Sequence, residues 1–181
     1  YIKKVEEDYI IINENFEEEE FEINKITEQL KFPMFVKPSN SGSSVGVKKA
    51  TNIEELKKAI QYAGQYDTKI LVEQGIDSVE VECAILDGKE VIASTVGEIL
   101  PAEEFYSFDA KYNMPESKTL IPANITEEQI KEIRQLAIKA FKAIDGKGLS
   151  RVDFFVEKGT NKIYINEINT MPGFTKISMY P

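Results

Sequence analysis

Between Ser150 and Thr175, two runs rich in β-branched and aromatic residues flank the polar segment Glu157-Lys158-Gly159-Thr160-Asn161. That pattern predicts a β-hairpin. Side chains alternate faces along a strand, so Arg151 shares a face with Asp153, and Glu167 with Asn169. A turn centred near Thr160 sets Asp153 opposite Glu167 and Arg151 opposite Asn169. One small patch then carries two carboxylates, an amide oxygen and a guanidinium. Like charges opposed across a sheet destabilise it unless something neutralises them. Hard oxygen donors of this kind suit Mg²⁺, which takes one or two carboxylates together with substrate phosphates. An ordinary solvated face is the plainer reading, but a metal site accounts better for these residues.

Composition narrows the chemistry. The chain has 181 residues and no histidine, which removes Ser-His-Asp and Cys-His catalysis and the commonest zinc ligand. Its one cysteine, Cys83, excludes an intrachain disulfide and fits a reducing, cytoplasmic setting. Within Val81-Glu82-Cys83-Ala84-Ile85 it reads as a small core residue. A net charge of −9 argues against nucleic acid or an acidic membrane as the main partner. Much of that charge lies in Glu6-Glu7-Asp8 and Glu17 to Glu20, expected on solvated faces. No apolar run approaches the ~20 residues of a membrane span, and no signal-peptide pattern opens the chain. The expectation is a soluble protein of one large or two small domains.

Along the chain, residues 1 to 9 look helical, Ile10-Ile11-Ile12 reads as a strand, and Phe21 to Leu30 as an amphipathic helix. Phe32 to Pro38 is a strand carrying Lys37, followed by a Gly/Ser loop to Gly46 and a second strand, Val45 to Ala50. A P-loop would lead into a helix instead. A hydroxyl-rich hairpin could still fold over phosphates as a lid, with Lys37 supplying a point charge. Thr51-Asn52-Ile53-Glu54 reads as a capping box opening a helix to about Gly64. Strands follow at Lys69–Gln74, Val79–Leu86 and Lys89–Ile99, the last two turning at Asp87-Gly88. Glu80 and Glu82 make one face of the second strand acidic and are expected in solvent. Residues 101 to 122 show neither period yet hold several aromatics and Lys111, and read as an ordered lid. A second capping box, Thr126 to Gln129, opens a helix burying Ile130, Ile133, Leu136, Ala137, Ala140, Phe141 and Ile144, which stops at Gly146.

Phe35-Val36-Lys37-Pro38, the loop to Gly46, FYSFDAKY (Phe105 to Tyr112), Ser150 to Phe155 and NEINTMPGFTKISMYP (Asn166 to Pro181) resemble D-alanine–D-alanine ligase, a family of the ATP-grasp superfamily. The motifs run in family order across nearly the whole chain. The resemblance implies an α+β fold of two antiparallel sheets with helices and nucleotide between them. Residues 1–75 would form the central subdomain with the Gly/Ser lid, and 76–181 the carboxy-terminal subdomain with the 101–122 loop and the metal hairpin. It implies ATP and two Mg²⁺ ions (or Mn²⁺), and joining of two D-alanines through an acyl phosphate for peptidoglycan and the cell wall. The parent enzyme would be a cytoplasmic homodimer.

Carried over position by position, Lys37 and Lys111 would contact phosphates. Glu73, with Gln74 and Ile76 beside it, would meet adenine, and Glu80 the ribose. Asp153, Glu167 and Asn169 would hold the metals, while Arg151 and the Gly173 N–H would form an oxyanion site. Ser43, Tyr112 and Ser178 would place the second substrate and close the lid. Ser78-Val79 stands where the family has Gly-Arg before the ribose glutamate. The family's amino-terminal domain and carboxy-terminal tail are not in the sequence, so a non-catalytic nucleotide-binding piece is one alternative. A ligase for D-serine or D-lactate is another, and FYSFDAKY favours D-alanine.

Overall fold

The computed structural model describes residues 9–12, 19–42, 44–100, 118–175 and 178–181. Ordered contacts divide the chain into two compact units, one running to Gly75 and the next starting at Ile76.

The first unit contains β1 (Tyr9–Ile12), α1 (Glu19–Gln29), β2 (Met34–Pro38), β3 (Lys48–Ala50), α2 (Ile53–Ala63) and β4 (Ile70–Gln74). Its sheet has the order β1-β4-β2-β3, and every pairing is antiparallel. Strand β2 alternates cleanly, with Met34, Val36 and Pro38 buried and Phe35 and Lys37 on the other face. Helix α2 buries Leu56, Ala59, Ile60 and Ala63, the spacing of one helical face. These residues join Ile23, Ile26 and Leu30 of the α1 segment over Val36 and Val72 in one core.

Three local expectations shift here. The α2 N-cap is Asn52, not Thr51: its side chain accepts the Glu55 N–H at 3.0 Å, while Glu55 accepts the Thr51 N–H and hydroxyl, both at 2.8 Å. Either residue can cap, and the one-residue offset lets the glutamate reach back. Strand β3 begins at Lys48 rather than Val45, because Ser44 and Gly46 take left-handed conformations (φ 59° and 79°) that end the ladder. Tyr9 lies in β1, so the helix read over residues 1 to 9 does not reach it; residues 1–8 lie outside the described residues.

The second unit contains β5 (Ser78–Asp87), β6 (Val91–Leu100), β7 (Lys118–Leu120), α3 (Glu127–Ala143), β8 (Leu149–Glu157) and β9 (Ile163–Asn169). Its antiparallel sheet runs β7-β6-β5-β8-β9. Val81, Cys83 and Ile85 of β5 and Val152, Phe154 and Val156 of β8 turn to one face, where Ile133, Ala137 and Phe141 of α3 cover them. The capping box at Thr126 and Gln129 is complete. Ile144, expected in the core, is half exposed, because the helix ends at Ala143 and the chain turns away there. Gly146 lies so close to Phe141 that a Cβ would sit 2.5 Å from its ring. Within the span read as a loop, residues 118–120 pair with β6 as β7, and 101–117 lie outside the described residues.

Phe141→Ala should lower unfolding free energy by about 3–5 kcal/mol, the range for emptying an aromatic core position. Ile144→Ala should cost no more than about 0.5 kcal/mol, as at ordinary surface positions. Urea unfolding followed by circular dichroism measures both, and equal losses would contradict this placement of the helix end.

Candidate functional site

Because Val81, Cys83 and Ile85 turn toward α3, the intervening residues of β5 and β8 must turn to the opposite face. No described helix of this unit lies on that face. The register there is specific: Glu82 pairs with Asp153, Asp153 with Glu167, Ala84 with Arg151, and Arg151 with Asn169. The hairpin therefore has the pairing its sequence predicts, and all four of its polar residues share one face. Sequence reasoning missed the third carboxylate. Glu82, expected in solvent, is only 8% exposed and stands abreast of Asp153 and Glu167 across three strands.

Its burial follows from its neighbours. Glu82 lies between Asp153 and Gly97, and Gly97 has no side chain. A Cβ built on Gly97 would sit 2.7 Å from the Met179 sulfur, so the returning carboxy-terminal segment covers the end of this row. The segment is pinned by the Tyr180 hydroxyl donating to the Ile85 carbonyl at 2.7 Å and by the Ser178 N–H donating to Thr175 O. The signal available in sequence was the alternation placing Glu82 on Asp153's face; it could not say what lies over that face.

Arg151 organises the charges. Its Nε and Nη2 donate to the two oxygens of Asp153 at 2.7 and 2.6 Å, and Nε lies 3.1 Å from Glu82 Oε2. The hydrogen bonds to Asp153 hold the guanidinium still more firmly in its charged form, against the opposing effect of burial. Burial pushes the Glu82 carboxyl up to about 7; Arg151 pulls it down and Asp153 pushes it up further. Burial prevails because Arg151 is already committed to Asp153, which faces Glu82 directly. Cys83 is buried on the other face and raised to about 11 by that burial, so its thiol is protonated and unreactive at neutral pH.

The donor set fits a magnesium ion shared with phosphates better than an all-protein cage. Asp153 and Glu167 are opposed carboxylates, and Asn169 Oδ1 stands next along the strand while accepting the Met171 N–H at 3.0 Å. Among the described residues, no three His, Cys, Asp or Glu side chains converge as a complete metal cage. Two carboxylates and an amide, with phosphate and water completing the shell, are what magnesium accepts.

The remaining candidate residues are distributed as follows. Glu80 lies on β5 one alternation from Glu82 and is half-buried. Gly173 approaches Ser178, whose Oγ would lie 3.5 Å from a Cβ there and accepts the Thr175 N–H. In the first unit, Lys37 Nζ and Glu73 Oε1 form an ion pair at 2.9 Å on the sheet face away from the core. Gln74 Oε1 accepts the Lys31 N–H, and the neighbouring Gly75 donates to Pro33 O at 2.7 Å. Ile76 opens the second unit and is half-buried. The stalks of the Gly/Ser loop are tied down: the Asn40 N–H donates to Asp67, and Gly46 lies where a Cβ would strike Pro38. Ser43, Lys111 and Tyr112 lie outside the described residues.

The raised Glu82 carboxyl has a pH signature. Native protein keeps this proton up to about pH 7, whereas a glutamate at its ordinary value releases it near 4.5. Between these values the native state binds more protons, so Glu82's contribution to stability is complete below about 4.5 and lost as pH rises through 7. Glu82→Gln should flatten that decline in urea midpoints taken across the window, and an unchanged slope would place the titration elsewhere.

Comparison with known proteins came to one family. A profile described as "D-ala D-ala ligase C-terminus" matches residues 5–181. The D-alanine–D-alanine ligase of Acetivibrio thermocellus is 59% identical over 159 residues, covering 88% of this chain and 42% of that one. The Clostridium novyi enzyme of the same name is 48% identical over 176 residues, covering 96% and 51%. Among solved structures, the VanG D-Ala:D-Ser ligase of Enterococcus faecalis superposes with a TM-score of 0.83 at 38% identity, covering 96% of this chain and 50% of that one. The D-alanine–D-alanine ligase of Coxiella burnetii gives a TM-score of 0.80 at 35% identity, covering 96% and 45%. The chain thus spans about half the length of the curated relatives it matches. Two antiparallel sheets with three described helices, a profile match over nearly every residue and these neighbours together make the chain an ATP-grasp protein of the D-alanine–D-alanine ligase family.

Proposed function

We propose that this chain is the nucleotide- and metal-binding part of a ligase that joins two D-alanines at the expense of ATP, in the cytoplasm, for cell-wall peptidoglycan. The observation that carries the reading is the cross-strand pairing of Asp153 with Glu167 and of Arg151 with Asn169. In this proposal Asp153, Glu167 and Asn169 hold two magnesium ions, or manganese, which when bound neutralise the charge of the transferring phosphoryl group.

The chain's own residues do the rest by positioning, since phosphoryl transfer needs no protein nucleophile. Lys37 turns from Glu73 toward phosphate oxygens, and Glu73, Gln74 and Ile76 meet the adenine edge. Glu80 accepts from the ribose. The carboxylate of the first D-alanine attacks the terminal phosphorus of ATP and ADP leaves; the amine of the second D-alanine then displaces phosphate from the acyl phosphate. Arg151 and the Gly173 N–H stabilise the oxyanion of that second step. Lys111 would contact phosphate as well, and Ser43, Tyr112 and Ser178 would help place the second substrate. The parent enzyme acts as a homodimer.

A second reading, D-serine as the incoming substrate, is favoured by the likeness to the VanG D-Ala:D-Ser ligase. The curated relatives named D-alanine–D-alanine ligase are more similar in sequence and favour D-alanine. Dipeptide formation by the complete enzyme with ATP and a panel of D-alanine, D-serine and D-lactate separates the readings; D-alanyl-D-alanine should dominate. In that enzyme, Arg151→Ala should slow turnover by about 10²–10³-fold, the range for losing one oxyanion donor, and an unchanged rate would remove Arg151 from the chemistry. Glu167→Gln should weaken magnesium-dependent nucleotide binding more than metal-free binding, and equal losses would contradict a ligand role.

A further inference from the structure

We propose that Glu82 is a positioning residue that takes over the Arg151 guanidinium when Asp153 turns to a divalent cation. The inference rests on the metal reading of Asp153 and Glu167 given above. Both oxygens of Asp153 face Arg151, through Nε and Nη2 at 2.7 and 2.6 Å. A carboxylate has lone pairs to share, but a dication set against the same two oxygens repels the guanidinium. The cation and Arg151 therefore compete for Asp153.

The sheet supplies somewhere for the guanidinium to go. Glu82 and Glu167 flank Asp153 on opposite sides, on β5 and β9. Glu82 already lies 3.1 Å from the Arg151 Nε. The residue paired with Arg151 on β5 is Ala84, whose side chain is a single methyl group. A move toward Glu82 carries the positive charge away from Glu167, leaving Asp153 and Glu167 as an opposed pair for the ion. Without a carboxylate at 82, releasing Asp153 would strand a guanidinium whose side chain is only 24% exposed, a costly state. Asp153 would then stay bound to Arg151, and the cation would bind more weakly.

The test is a double-mutant cycle read by Mn²⁺ binding, followed by electron paramagnetic resonance at pH 8.5 on the full chain. Glu82→Gln should weaken Mn²⁺ about tenfold, the scale of one lost charged hydrogen bond. Glu82→Asp, which restores the charge, should recover part of that loss. In an Arg151→Gln background the substitution at 82 should have little effect, because no guanidinium remains to be held. On adding magnesium, the Arg151 Nε–H nuclear magnetic resonance signal should shift in wild type as its acceptor changes from Asp153 to Glu82, and should stay in place in Glu82→Gln at the same magnesium concentration. Equal weakening with and without Arg151 would mean that Glu82 acts only through its charge, and would overturn the proposal, as would no weakening at all. Asp153→Asn and Glu167→Gln test the underlying reading separately. If they leave Mn²⁺ affinity unchanged, the metal site and this inference both fall; if they lower it while Glu82→Gln does not, only this inference falls.

Discussion

One guanidinium set among three carboxylates is the interaction that the second unit depends on. Glu82, Asp153 and Glu167 stand abreast on adjacent antiparallel strands, a row that self-repulsion would force apart if all three were ionised and unpaired. Arg151 binds Asp153 through two hydrogen bonds, and burial keeps a proton on Glu82 up to about pH 7. These two compensations ease the repulsion where β8 pairs with β5 and β9 at once. The opposite face needs no such device, since Val152, Phe154 and Val156 pack beneath α3. The sheet is thus ordinary on one side and electrostatically poised on the other. A side that gathers carboxylates, and on which no described helix of this unit lies, is suited to a cation and an anionic ligand.

The hairpin from Ser150 to Asn169 was legible because its alternation has one consistent solution: apolar residues at 152, 154 and 156 force 151 and 153 outward. Helix α3 was legible from its capping box and apolar spacing, although its last turn was not. Ile144 continues the pattern that Phe141 ends, and periodicity cannot tell where a chain will turn away. Glu82 was misread for a related reason. Alternation assigned it to the acidic face, but its burial comes from Gly97 and Met179, residues distant in sequence that only the folded chain brings together. Thr51 and Asn52 are both good caps, and composition alone could not choose between them.

The first unit solves a smaller electrostatic problem in a similar way. Lys37 and Glu73 stand on the polar face of their sheet and neutralise each other at 2.9 Å. That pair, like the one between Arg151 and Asp153, holds against a carboxylate a cation that we propose to bind an anion. In both units, binding would exchange an internal ion pair for an external one. Such an exchange limits the net gain in affinity, and it holds each cation in place within a chain of net charge −9. The D-alanine–D-alanine ligase profile matches residues 5–181, a span that includes both of these ion pairs.

Asp153 and Glu167 are proposed to share a cation on the face that carries Arg151. Anomalous diffraction from crystals of this chain grown with Mn²⁺ and a non-hydrolysable ATP analogue locates that ion directly. The predicted result is a manganese peak at bonding distance from both carboxylates and from the phosphates. A peak elsewhere, or nucleotide bound with no ion between Asp153 and Glu167, would contradict it.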